Sequence, residues 1–158
     1  MPRKIQKTMG NEILSRTKAG RENFRELEQR NKALAKLVLR EVPRTYYRYK
    51  TPEKAFEGIS KLFDRARRVD YALNELGIKK IDPHFVDTVL HEKVITIGEV
   101  VRIRQKLDEL EKLDKGKAKF VRDNLPGFLS RSPQEALGLV ERQITLVKES
   151  RNSPRLTK

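Results

Sequence analysis

The chain has 158 residues with 36 Lys and Arg against 22 Asp and Glu. Its formal charge of +14 exceeds the ~2 to 8 that solubility asks of a small domain. With no Cys, disulfides, thiolate zinc sites and cysteine nucleophiles are excluded, and no apolar run approaches the ~20 residues that span a bilayer.

After the first two residues, Ile5 and Met9 are the apolar side chains up to residue 10, among Arg3, Lys4 and Lys7, so a disordered basic arm is expected over 1–10. A single helix is predicted from Asn11 to Arg40. Ile13, Phe24, Leu27, Leu34 and Val38 recur at three-to-four spacing, interrupted by Thr17, Gly20 and Asn31. Asn31 takes an a-like position, where it can fix register in a homodimer. Pro43 ends the helix, since it has no backbone donor and disfavours helical backbone at Val42. The stretch Arg44 to Lys50 has no helical stripe and is read as a loop.

Thr51 caps the next helix, which has Pro52 and Glu53 in its first turn and stops before Gly77. Ala55, Phe56, Ile59, Leu62, Phe63, Ala66, Val69, Leu73 and Leu76 make it the clearest amphipathic pattern in the chain. Asp70 falls within that stripe and is placed at its edge, because a buried carboxylate needs a partner. Asp82 and Pro83 open a shorter helix to about Lys93, through Phe85, Val86, Val89 and Leu90. Only Val94 to Ile97 has strand character.

Thr96 and Glu99 form a capping box that opens a helix to about Leu113, ended by Gly116. Residues 117–131 are mixed: one turn around Ala118, Phe120 and Val121, then a loop pinned by Phe128 and Leu129. Ser132, Pro133 and Glu135 open the last helix, through Leu137, Val140, Ile144 and Val147. The expected class is all-α, with about five helices in a bundle-like or elongated arrangement. One domain over 11–150 lies between the arm and a basic tail at 151–158.

Residues 1–50 hold 14 basic and 5 acidic groups, 51–100 hold 8 and 9, and 101–158 hold 14 and 8. Basic ends around a near-neutral middle suit a polyanionic partner. Three of the four tyrosines fall in the run Arg44, Tyr46, Tyr47, Arg48, Tyr49, Lys50. Tyr rings stack on bases and Arg planes clamp phosphates, so this run is the first candidate nucleic-acid contact. The other reading packs the same rings under a loop as anchors.

Arg102, Arg104 and Lys106 form a second basic set. Their helix and the one before it have helix-turn-helix dimensions, although Gly98 lies inside the second helix and leaves the match generic. Lys115, Lys117, Lys119 and Arg122 follow as a third. His84, Asp87 and His91 share one helix face, but it lies opposite the apolar side with no fourth ligand, so no metal is expected.

There is no Gly-rich phosphate loop and no Gly-x-Ser-x-Gly elbow, and Asp108, Glu109 and Glu111 read as a charged helix face. No catalytic activity and no cofactor are expected. The sequence therefore points to a non-catalytic nucleic-acid-binding protein, for RNA or DNA, that contacts the phosphate backbone as part of a nucleoprotein complex. The alternative is a structural or adaptor subunit that docks an acidic protein. A homodimer or larger complex fits either reading. A membrane partner does not, because the basic stretches lack an apolar inserting face. Met1 to Lys4 lead into no apolar signal core, so the expected location is intracellular: cytoplasmic, or nucleoid or nuclear.

Overall fold

The computed structural model describes residues 3–91 and 95–152, with backbone alone for 3–7. The helices are α1 (Arg3–Ser15), α2 (Lys18–Arg30), α3 (Lys32–Arg48), α4 (Pro52–Glu75), α5 (Pro83–His91), α6 (Ile97–Leu113), α7 (Lys115–Arg131) and α8 (Pro133–Asn152). No strand occurs among the described residues: Ile95 and Thr96 are irregular and Ile97 begins α6. The class is all-α, but the described residues form eight helices where about five were expected. The boundary near Lys93, Val94 and tail residues 153–158 lie outside the described residues.

The three extra helices come from breaks at Thr17, Asn31 and Asp114, where, as at Ser132, a short polar side chain caps the helix that follows. Thr17, Asn31, Asp114 and Ser132 all have extended backbones. Asn31, Asp114 and Ser132 each do two jobs. The Asn31 N–H donates to the Leu27 carbonyl of α2 at 2.8 Å, while its Oδ1 accepts from the Leu34 N–H of α3 at 3.1 Å. Asp114 joins α6 to α7 in the same way (2.7 and 3.1 Å), and Ser132 joins α7 to α8 (3.0 and 3.0 Å). One residue thus satisfies orphan groups of two helices. In the sequence Thr17 and Asn31 look like interruptions of one stripe and Asp114 like part of a helix end, which is why 11–40 looked continuous and Gly116 looked like a stop; of the four, Ser132 is the one read as a cap.

Proline misled in the opposite direction. Pro43 lies inside α3 and Pro126 inside α7. An interior proline costs about 3 kcal/mol. Around Pro43, Leu39, Val42 and Thr45 are buried, and apolar burial at about 1.5–3 kcal/mol per large side chain outweighs the loss. Pro43 cannot donate to the Leu39 carbonyl, and α1 passes close to that oxygen. Gly10 lies so close that a Cβ there would come 2.5 Å from Leu39 O.

The chain divides into two compact units, split between Asp70 and Tyr71 within α4. In the first, α1, α2 and α3 pack on one another around Ile13, Leu14, Leu27, Leu34 and Val38. Residues 3–10, read as part of an arm, belong to α1. Asp70 is only 3% exposed, so it is not at an edge. Asn31 Nδ2 donates to its Oδ1 at 3.5 Å. Both ends of the Asn31 side chain are therefore engaged within the chain, which removes the basis for its register role.

In the second unit α6, α7 and α8 pack on one another and α5 packs on α7, around Phe85, Ile103, Leu107, Leu110, Val121 and Leu125. The Thr96–Glu99 capping box forms as predicted. The end of α4 is also as predicted. Gly77 has φ +67, the left-handed region, with its N–H on Asn74 O (3.3 Å) and the Ile78 N–H on Leu73 O (2.9 Å). That is a Schellman stop, for which glycine is the natural residue. Among the described residues no helix is long and apolar enough to cross a membrane.

Candidate nucleic-acid interface

Residues 1–70 hold 19 basic and 9 acidic groups, so the first unit carries most of the net charge. The Arg/Tyr run is not a loop. Arg44 to Arg48 form the last turns of α3 and Tyr49 is its C-cap. Helical spacing then sends the three rings in different directions.

Tyr46 is half-buried. It meets Phe56 edge-on at 5.7 Å, its hydroxyl accepts from Arg16 Nη1 at 3.1 Å, and the Arg16 guanidinium lies 5.5 Å from its ring centroid. Tyr46 is an anchor. Tyr47 is 64% exposed, with its ring edge-to-face to Tyr46 at 5.2 Å. Tyr49, 39% exposed, lies over Gly58 of α4, where a Cβ would come 2.5 Å from its Cε2. Arg44 pairs with Glu41 at 3.4 Å. Arg48 and Lys50 are exposed and have no carboxylate partner among the described residues. One free ring and two free cations at the end of α3 are what this run offers a ligand.

The α6 set is partly neutralised. Arg104 bonds to Glu75 and Lys106 pairs with Glu109 at 3.5 Å, leaving Arg102 without a carboxylate partner among the described residues. Glu109 also accepts from Lys148 at 3.3 Å, and that bond is the main cause holding its carboxyl below the usual range. A recognition helix needs free donors for base edges. With α5 packed on α7, the helix-turn-helix reading gains nothing here. His91 Nε2 lies 3.5 Å from Asp87 Oδ1, while His84 is exposed.

On α7 five basic residues face a single acid, Asp123. Lys115, Lys117 and Lys119 are exposed. Arg122 is half-buried and its Nη2 donates to Glu111 Oε2 at 2.9 Å. That bond, then the Arg122 charge, keeps the Glu111 carboxyl below its ordinary range.

Lys119 and Arg122 also line an open cleft of about 970 Å³ whose other wall is the segment 77–83. The cleft brings in Lys79 and Lys80, which the sequence reading passed over. Their signal was a lysine pair between a helix stop at Gly77 and a helix start at Asp82–Pro83. No family model, no curated protein and no solved structure matches the chain.

Proposed function

We propose that this protein is a non-catalytic nucleic-acid-binding protein that grips the phosphate backbone through exposed basic side chains, as a subunit of a nucleoprotein complex. The observation that carries the reading is the end of α3, where the exposed Tyr47 stands with Arg48 and Lys50, neither held by a carboxylate among the described residues. A ring with a free face beside unneutralised cations suits a base and its phosphates. The excess of 19 basic over 9 acidic groups in residues 1–70 favours the encounter.

The test is fluorescence anisotropy with labelled RNA and DNA single strands and a duplex across a salt series. Backbone binding makes log K fall linearly with log salt concentration. Arg48→Gln is expected to make the single-strand slope shallower by about 0.7. Tyr47→Ala is expected to cost about 1–3 kcal/mol for single strands with the slope preserved. No binding of any probe at 50 mM salt would refute the reading. An acidic protein surface with an apolar centre would instead give a complex that weakens less with salt.

A further inference from the structure

We infer that the cleft between residues 77–83 and α7 is a binding site for a single strand of nucleic acid, with its phosphates on Lys79, Lys80 and Lys119 and a base at the rim on Phe120. The inference rests on the nucleic-acid reading above and supplies what that reading lacks, a shaped site with its own ligand preference.

The charge of the cleft is one-sided. Lys79, Lys80 and Lys119 are exposed and have no carboxylate partner among the described residues. Of the two acids in the lining, Asp82 is engaged in capping α5, where its Oδ1 accepts from the His84 N–H at 2.9 Å and the Phe85 N–H at 3.5 Å. The positive end of that helix offsets its charge. Asp123 is the other. Arg122, also in the lining, is held against Glu111, and its Nε would lie 3.5 Å from a Cβ at Gly77. Ile78, Ile81 and Pro126 give the cleft an apolar floor. Pro126 cannot donate to the Arg122 carbonyl one turn earlier, so an acceptor is left without its helical partner in the same wall.

Size selects the form of the ligand. A cleft of about 970 Å³ holds a short stretch of unpaired chain and cannot enclose a duplex. An unpaired chain enters, and its bases then need stacking partners. Phe120 supplies one. It is 56% exposed on α7, adjacent to Lys119 and one turn before Asn124, which lines the cleft and donates to the Phe120 carbonyl at 2.7 Å. A phenylalanine left 56% exposed on a folded helix next to the free Lys119 has a face open to stack on a base.

The test uses the full chain with a fluorescein-labelled oligothymidylate and a labelled 20-bp duplex in anisotropy titrations. Three proteins are compared: wild type, the cleft variant Lys79→Gln/Lys80→Gln/Lys119→Gln, and a charge-matched control, Lys54→Gln/Lys61→Gln/Arg68→Gln, on the exposed side of α4. Three lost phosphate contacts at about 0.7 each make the single-strand slope shallower by about 2, which is roughly 100-fold in affinity at 0.1 M salt. The control is expected to lose less than tenfold, and the duplex is expected to respond alike to both variants. Replacing the same three lysines by Arg should restore the slope. Phe120→Ala, at a position that contributes nothing to the core, is expected to lose roughly 5- to 150-fold on the single strand alone. If wild type binds and the cleft variant matches it or the control, the cleft is overturned while the nucleic-acid reading stands. If wild type binds neither probe, the nucleic-acid reading itself has failed.

Discussion

Replacing Asn31 probes two interactions at once, and the structure separates them. Its Oδ1 accepts from the Leu34 N–H at 3.1 Å, an N-cap bond, and its Nδ2 donates to Asp70 at 3.5 Å. Loss of the cap costs about 1 kcal/mol. Loss of the amide donor leaves a carboxylate that is 3% exposed without that bond, at about 1–3 kcal/mol. The 3.5 Å separation is long for a hydrogen bond, which argues for the low end, about 1 kcal/mol. Asn31→Ala is therefore expected to destabilise by about 2 kcal/mol, and Asn31→Ser, which keeps a capping oxygen but not the amide, by about 1 kcal/mol. Urea unfolding followed by circular dichroism gives both values. In an Asp70→Ala background the serine variant should cost almost nothing. Equal losses for Ala and Ser would refute the cap, and an unchanged serine loss without Asp70 would refute the buried link.

Gly10→Ala sets helix propensity against sterics. Alanine gains about 1 kcal/mol inside a helix, but its Cβ would sit 2.5 Å from Leu39 O, a backbone atom that cannot swing away. A net loss of about 1–3 kcal/mol in urea unfolding is expected, and a more stable variant would disprove the close approach. Glu111 should titrate below the ordinary carboxylate range, because Arg122 favours its ionised form. Stability from that pair is present above the ordinary carboxyl range and is lost as pH falls through the lowered folded-state value. Arg122→Gln should return the Glu111 midpoint toward the ordinary value in a carboxyl-carbon NMR titration. An unmoved midpoint would show that Arg122 is not the cause.

The all-α class, the course of α4, both ends of the Thr96–Glu99 capping box and the start of α8 could be read from the residues, because each depends on local chemistry within four or five positions. The breaks at Thr17, Asn31 and Asp114 could not. A short polar residue within a helical stripe looks the same whether it interrupts the apolar face or ends one helix and caps another. Pro43 and Pro126 failed for a non-local reason, since the burial that outweighs the proline penalty is set by partners elsewhere in the chain. At the candidate site, composition located the Arg/Tyr run but not its geometry. Whether Tyr46 or Tyr47 faces solvent depends on the phase of the last turn of α3, and the loop expectation discarded that phase. Lys79 and Lys80 escaped notice because a cleft is a property of two segments, here about 40 residues apart, with Lys79 and Lys119 in one lining.

The joints that use one residue each also bear on how the chain folds. Three of them, at Asn31, Asp114 and Ser132, are a single residue long, and helices next to each other in sequence are also packed together: α1, α2 and α3 in one unit, α6, α7 and α8 in the other. Tertiary contacts therefore close over short stretches of chain, and the entropy of loop closure stays small. A topology of such low relative contact order belongs with helical proteins that fold in microseconds to milliseconds. Lengthening a joint, for instance by two glycines after Asn31, would separate the cap that ends one helix from the cap that starts the next. The cost would appear first in the folding rate.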